Sequence, residues 1–276
     1  MTLDEIVRAA LQEDVGDGDI TTAAICSEDD ALVNAVIIFR ETGVLAGLEA
    51  AQLTFAELDP DVNFQSRFSD GDEIPADAII VQLSGKSSAL LTAERTALNF
   101  LQHLSGIATL TRKFVKAVEG TGAIILDTRK TTPGLRMLEK YAVRMGGAQN
   151  HRFGLYDNIL IKDNHIKIAG GVKRAVELAK KKYVPGIRIE VEAKTLTEVE
   201  EALRAGVDTI LLDNMKIPLL QKAITLIDKK AIIEISGGVN IENVRQIASL
   251  GVNYISVGAL THSAPAIDIS MKILKE

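Results

Sequence analysis

Apolar residues recur along this chain in two rhythms, and the change from one to the other divides it. Near the start, Leu3, Ile6, Val7, Ala10 and Leu11 fall on one face of a helix. DVGDGDITT, residues 14 to 22, reads as a capped turn. A calcium loop beginning at Asp17 is disfavoured because Thr22 stands where such a loop needs glycine. LVNAVIIF (32 to 39) and AIIVQL (78 to 83) predict strands, with a helix from about Glu49 to Leu58 between them. From Ser88 the pattern turns helical, continues past Ser105 and Gly106, and runs on through ATLTRKFVKAVEG, with Gly106 marking a domain boundary.

Beyond Gly106, strand and helix alternate six times. The strands are expected at 123–127, 159–162, 187–193, 209–213, 231–236 and 254–258. Six β/α units at this spacing mean a parallel barrel or a doubly wound sheet. The strand ends carry Asp127, Lys162 with Asp163, Glu190 and Glu192, Asp213, Ser236 with Gly237 and Gly238, and Gly258. Many strands presenting polar groups at one end is the habit of barrels. No dinucleotide fingerprint or Walker loop is present. The expected fold is therefore an incomplete parallel α/β barrel, two strands short, preceded by an α/β domain.

Composition adds little: 47% hydrophobic and 25% charged residues fit an ordinary globular enzyme. The single cysteine, Cys26, cannot form an internal disulfide, and four histidines with it do not make a Cys/His zinc cluster. The acidic start lacks the basic flank and apolar block of a signal peptide, and no run nears the ~18 apolar residues of a membrane span. A cytoplasmic location with no membrane partner is expected. Charge changes the picture more. The net charge of −6 argues against a nucleic-acid partner, yet residues 128 to 167 hold eight Lys/Arg against three acids, +5 in an otherwise acidic chain. Such an island fits a small polyanionic ligand.

The centre of that island is AIILDTRKTTPGLR from Ala123, a buried-strand run delivering Asp127, Thr128, Arg129 and Lys130 to a ligand-facing end. Glu190 and Glu192, two apart in IRIEVEA, share a strand face, and Asp213 closes TILLD as a third acid. Oxygen donors of this kind suit Mg²⁺, which commonly accompanies phosphates. The competing reading is plain salt bridges to Lys162 or Lys194. Around the strand ILI lie Asn150, His151, Arg152, Lys162, Asp163, Asn164 and His165, a combination suited to carboxylate or phosphate. Ser236, Gly237, Gly238 and Gly258 let backbone N–H groups approach a phosphate. His103 and His262 read as structural, and Glu94 with Arg95 as a solvated pair on a helix.

AERTALNFLQHLSGIAT, LDTRKTTPGLRMLEKYAV, NHRFGLYDNILIKDNH, IEVEA, LLDN, ISGGVN and ISVGALTHS, in this order, resemble the quinolinate phosphoribosyltransferases over practically the whole chain. Two positions depart from the family pattern, Ala148 for a third glycine and Ala193 for a common valine. The resemblance implies an α/β sandwich domain, 1–105, joined by a C-terminal helix at about 266–276, and an incomplete α/β barrel, 106–265. It implies transfer of phosphoribose from phosphoribosyl pyrophosphate to quinolinate with decarboxylation, in de novo NAD biosynthesis, with Mg²⁺. It further implies a homodimer, possibly assembled further, in which Arg95 reaches the partner's site. Quinolinate would be held by that Arg95 with Arg129, His151, Arg152 and Lys162. Lys130, with Glu192 and Asp213 as metal ligands, would engage the ribose pyrophosphate, and Ser236, Gly237, Gly238 and Gly258 the 5′-phosphate. Lys130, Lys162, Glu192 and Asp213 are the expected catalytic residues. Three alternatives stay open at this point: a paralogue of the same fold, a Schiff-base aldolase using Lys162, and a noncatalytic phosphate-ligand sensor.

Overall fold

The structure, a computed structural model, describes residues 1–26, 30–182 and 186–274. In chain order these form α1 (Leu3–Val15), α2 (Ile20–Ile25), β1 (Leu32–Phe39), β2 (Gly43–Val44), α3 (Leu48–Leu58), β3 (Asn63–Ser66), β4 (Glu73–Ile74), β5 (Ala78–Lys86) and α4 (Ser87–Val118). There follow β6 (Ile124–Leu126), α5 (Arg136–Met145), β7 (Ile159–Ile161), α6 (Asp163–Ala169), α7 (Val172–Lys182), β8 (Ile189–Ala193) and α8 (Leu196–Ala205). The remainder is β9 (Thr209–Asp213), α9 (Ile217–Ile227), β10 (Ile232–Ser236), α10 (Val244–Ala248), β11 (Tyr254–Ser256), α11 (Ala259–His262) and β12 (Ile269–Ile273). The chain divides into two compact units, one of residues 1–112, 131–147 and 260 onward, the other of residues 113–130 and 148–259.

In the first unit, Thr2 and Glu5 close a capping box on α1, whose buried face is Ile6, Val7 and Leu11. The turn at 14–22 is capped as its residues imply: Asp19 accepts the backbone N–H groups of Thr21 and Thr22 at the start of α2. An antiparallel sheet of order β12-β1-β5-β3 buries Ile37, Phe39, Ile80 and Leu83 against Phe55 of α3 and Leu101 of α4. The C-terminal segment belongs to this unit, but as a strand. Ile269, Met271 and Ile273 alternate with Ser270 and Lys272, a period of two that suits an edge strand, and β12 pairs antiparallel with β1. The helix expected at about 266–276 is thus replaced by a strand over 269–273.

Gly106 marks no break in the helix. It lies inside α4, where an added Cβ would stand 2.1 Å from the Pro265 carbonyl oxygen. Glycine there permits close backbone approach rather than a break, and the division comes after Arg112. The helical stretch after Gly134 also joins this unit as α5, where buried Glu139 pairs with His103 Nε2 at 2.9 Å and accepts the Thr132 N–H.

The second unit decides between barrel and doubly wound sheet. Its six parallel strands run β6-β11-β10-β9-β8-β7, so the first strand pairs with the last. That order is cyclic, as in a barrel, and opens at one seam between β6 and β7. Along the seam an isolated parallel bridge joins Leu126 to Gln149. The strands are buried apolar runs, fully so at Val191, Ile210, Leu212 and Ile255, and alternation sends their remaining side chains to the opposite face. Thr195 and Glu198 form a capping box that starts α8 just past β8. Among the described residues no helix is long and apolar enough to cross a membrane.

Gly106→Ala should destabilise the protein by about 1–3 kcal/mol, the usual cost of forcing an extra carbon into a packed site. Denaturant midpoints would show it; an unchanged midpoint would mean the α4 contact with Pro265 relaxes freely.

Candidate active site

The carboxyl ends of the second unit's strands converge on a cavity of about 320 Å³. β6 delivers Thr128, Arg129 and Lys130, the loop before β7 His151 and Arg152, and the end of β7 Lys162. β8 and β9 bring Glu192 and Asp213, while β10 and β11 bring Glu234, Ser236 and Ser256. Apolar floor comes from Leu160 and Leu211. Cations and acids thus share one concave site at the end of the strands where barrels bind ligands.

Asp127 does not line the cavity. Its carboxylate, with the residue fully buried, accepts the Asn150 side-chain amide at 2.6 Å and the His151 backbone N–H at 2.8 Å. Backbone hydrogen bonds from Gln149 N–H to Ile125 and from Asp127 N–H to Gln149 add to it. Together they bind the 149–152 segment along β6 across the open seam. Ala148 is buried just before, outside the left-handed region that Gly147 occupies (φ +94°), so alanine costs nothing in backbone strain. Ala193, fully buried, pairs with Leu212 in the ladder.

Arg129 and Arg152 are held near each other. Burial, and then the charge of Arg129, pull Arg152 below the ordinary arginine range, with Glu190 and Asp157 opposing. Like charges kept together in a cavity are stabilised by an anion between them, and guanidinium groups match carboxylates in bidentate geometry. Lys162 and Lys130, both exposed, complete the cationic side.

The three acids expected in one ring separate into two groups. Glu192 and Asp213 form one: burial, then the Asp213 charge, push the Glu192 carboxyl above its ordinary range, and Lys162 and Lys194 pull it back. Lys194 Nζ lies 3.4 Å from Glu192, 3.8 Å from Asp213 and 2.9 Å from Asp163. The salt-bridge alternative is therefore realised through Lys194. Two mutually repelling oxygen donors on adjacent strands, with an exposed lysine as their counter-charge, also fit Mg²⁺.

Glu190 belongs to the second group. Its Oε2 lies 3.2 Å from His151 Nε2, and Glu234 Oε1 lies 3.5 Å from the same nitrogen. Burial opposes a charge on the His151 ring, but hydrogen bonds and charge from Glu190 and Glu234 raise its pKa and hold a proton on Nε2. The Arg152 backbone N–H opposes a second ring proton, because it donates to Nδ1 at 2.7 Å. In this conformation the ring is the Nε2–H tautomer, and a second proton enters only if the Arg152 amide turns away.

Other expected site residues lie beyond the cavity lining. Gly237 and Gly238 follow Ser236 with φ of +87° and +65°, and a Cβ on Gly237 would meet the Asn214 side chain at 2.4 Å. Consecutive glycines of this kind turn backbone N–H groups toward an anion. Gly258 follows β11, and Arg95 is exposed on α4 in the first unit. His165 Nδ1 accepts the Lys162 backbone N–H at 2.9 Å, and His262 Nδ1 contacts Ser263 Oγ at 2.6 Å. Sequence reasoning missed Glu234 and Ser256. The available signal was a lone acid within the apolar run AIIEIS, where a buried carboxylate needs a partner.

Comparison with known proteins places the whole chain in one family. Residues 19–105 match the model of the quinolinate phosphoribosyl transferase N-terminal domain, and residues 107–272 that of its C-terminal domain. The chain is 42% identical to a probable nicotinate-nucleotide pyrophosphorylase [carboxylating] of Bacillus subtilis, covering 99% of this chain and 94% of that one. It is 42% identical to quinolinate phosphoribosyltransferase [decarboxylating] 1b of Nicotiana tabacum, over 97% of this chain and 81% of that one. The crystal structure of NadC from Streptococcus pyogenes superposes with a TM-score of 0.94 at 44% identity, covering 99% and 97% of the two chains. With both domain models matched and full-length relatives above 40% identity, the chain belongs to the quinolinate phosphoribosyl transferase family.

Proposed function

We propose that the cavity at the carboxyl ends of β6 to β11 is where this chain performs its family's reaction. The chain is a quinolinate phosphoribosyltransferase (decarboxylating): it transfers phosphoribose from phosphoribosyl pyrophosphate to quinolinate, giving nicotinate mononucleotide, CO₂ and pyrophosphate in NAD biosynthesis. The aldolase and sensor alternatives fall with that membership. The observation that supports this site is the meeting of Arg129, Arg152, Lys130 and Lys162 with Glu192 and Asp213 around one cavity.

In this assignment Arg129, Arg152 and Lys162, with Arg95 supplied by a second copy, take the two carboxylates of quinolinate, and His151 lines the same pocket. Ser236, Gly237, Gly238 and Gly258 take the 5′-phosphate. The ring nitrogen then attacks the anomeric carbon, the bond to pyrophosphate breaks, and positive character builds on the ribose. Glu192 and Asp213 stabilise that charge as fixed, oriented carboxylates, and Lys130 holds the departing pyrophosphate. Glu192 and Asp213 would hold Mg²⁺, which when bound would neutralise charge on the pyrophosphate. The positive charge of the new pyridinium nitrogen then stabilises the electron pair left on the adjacent ring carbon as CO₂ departs, and a proton takes up that pair. No covalent enzyme intermediate is needed. A homodimer in the cytoplasm is the setting this reading expects.

Arg129→Ala and Arg152→Ala should each raise the KM for quinolinate by roughly tenfold or more, ~1.4 kcal/mol of lost binding, with the KM for phosphoribosyl pyrophosphate little moved. Steady-state kinetics that match wild type would take these residues out of the pocket. Asp213→Asn should lower kcat and raise the Mg²⁺ concentration needed for half-maximal rate; an unaltered Mg²⁺ dependence would count against its place at the metal. Mixing Arg95→Ala with Lys130→Ala protein should restore activity through exchange of subunits, and no recovery in exchanged dimers would sink the shared site.

A further inference from the structure

Glu234 is a carboxylate that the reaction as assigned does not use. It sits midway along β10 between Ile233 and Ile235, is 2% exposed, and borders the cavity. A carboxylate buried this far needs polar partners, and two stand beside it. Ser256 Oγ, from the adjacent β11, donates a hydrogen bond to Glu234 Oε1. His151 Nε2 lies 3.5 Å from that same oxygen.

His151 is gripped from both edges of its ring. On the Nε2 edge stand Glu234 from β10 and Glu190 from β8. On the Nδ1 edge stands the Arg152 backbone N–H. The His151 main chain is itself pinned by Asp127 at the end of β6. The two acids are not equivalent. Glu190 makes the closer contact, yet its Oε1 is buried with no hydrogen-bond partner among the described residues, so Glu190 is less firmly set. Glu234 is fixed by the serine. A rotation of the ring would strip the Arg152 amide of its acceptor and shift the main chain of the arginine beside it.

We propose that Glu234, seated by Ser256, is a positioning residue for the acceptor half of the site: it sets the His151 ring and, through Nδ1, the placement of Arg152. The proposal rests on the functional reading above, since it is through His151 and Arg152 that Glu234 acts on quinolinate. Its effect falls on one substrate. Glu192 and Asp213, assigned to the ribose pyrophosphate, stand instead beside Lys194, 3.4 and 3.8 Å from its Nζ.

The test joins kinetics to a readout independent of turnover. Glu234→Gln keeps the shape and removes the charge, and Ser256→Ala removes the seat. Both should raise the KM for quinolinate at least fivefold while leaving the KM for phosphoribosyl pyrophosphate within twofold of wild type. With ¹⁵N-labelled histidine, the His151 ring of wild type, identified by its loss in His151→Asn, should show a protonated Nε2 and an accepting Nδ1. Glu234→Gln should perturb that pattern. A residue that serves folding alone would lower the thermal midpoint and leave the substrate ratio of KM values unchanged, which overturns the proposal. So would an Nδ1–H tautomer in the wild-type ring, a result available even where the variants fail to fold. Absence of turnover by folded wild type with quinolinate would instead remove the functional reading, and the proposal with it.

Discussion

The buried carboxylate of Asp127 is the interaction on which the rest of the site depends. A barrel with six strands has a seam without a ladder, and here that seam lies between the strand bearing Arg129 and the strand leading to Lys162. Asp127 closes it by accepting from the Asn150 side chain and the His151 backbone, so that the 149–152 segment lies along β6. Removing that carboxylate would take the acceptor from the Asn150 amide and the His151 N–H and loosen the segment that carries His151 and Arg152. The gap in the barrel is thus used to bring a loop's cations into the mouth.

Around that closure the charges sort by partner. The charge of Arg129 disfavours that of Arg152, and the charge of Asp213 that of Glu192. Each pair stores repulsion that a ligand of opposite sign would relieve, an anion for the arginines and a cation for the acids. A site built this way is preorganised for two charged substrates at once, and the rigid strand ends fix their mutual orientation. The His151 cluster stands between the two functions, since its acids compensate a ring rather than a ligand.

Much of this was legible in the sequence. The six parallel strands were found because each is a short apolar run that ends in a charge or a glycine, and the basic island because it departs from an acidic background. The cyclic strand order was not legible, since periodicity does not say that Ile124–Leu126 pairs with Tyr254–Ser256. That α4 runs unbroken through Gly106 was not legible, because glycine serves close packing as well as breaks, and only the Pro265 carbonyl tells which. ISMKI near the end has a strand's alternation, which an expectation of a terminal helix overrode. Glu234 escaped because one acid inside an apolar strand has no spacing to flag it, whereas Glu190 and Glu192 advertise themselves as a pair. Arg95 shows the opposite limit: nothing in its own helix distinguishes it from a solvated residue, and its assignment comes through the family resemblance.

The central claim is that this cavity couples phosphoribosyl transfer to loss of one quinolinate carboxylate. The most direct measurement supplies purified protein with quinolinate, phosphoribosyl pyrophosphate and Mg²⁺, and follows CO₂ and nicotinate mononucleotide together, with nicotinate as the control acceptor. Equal amounts of both products from quinolinate, and no nucleotide from nicotinate, are the predicted result. Nucleotide formed from nicotinate at a comparable rate, or silence with quinolinate from folded protein, would contradict the account.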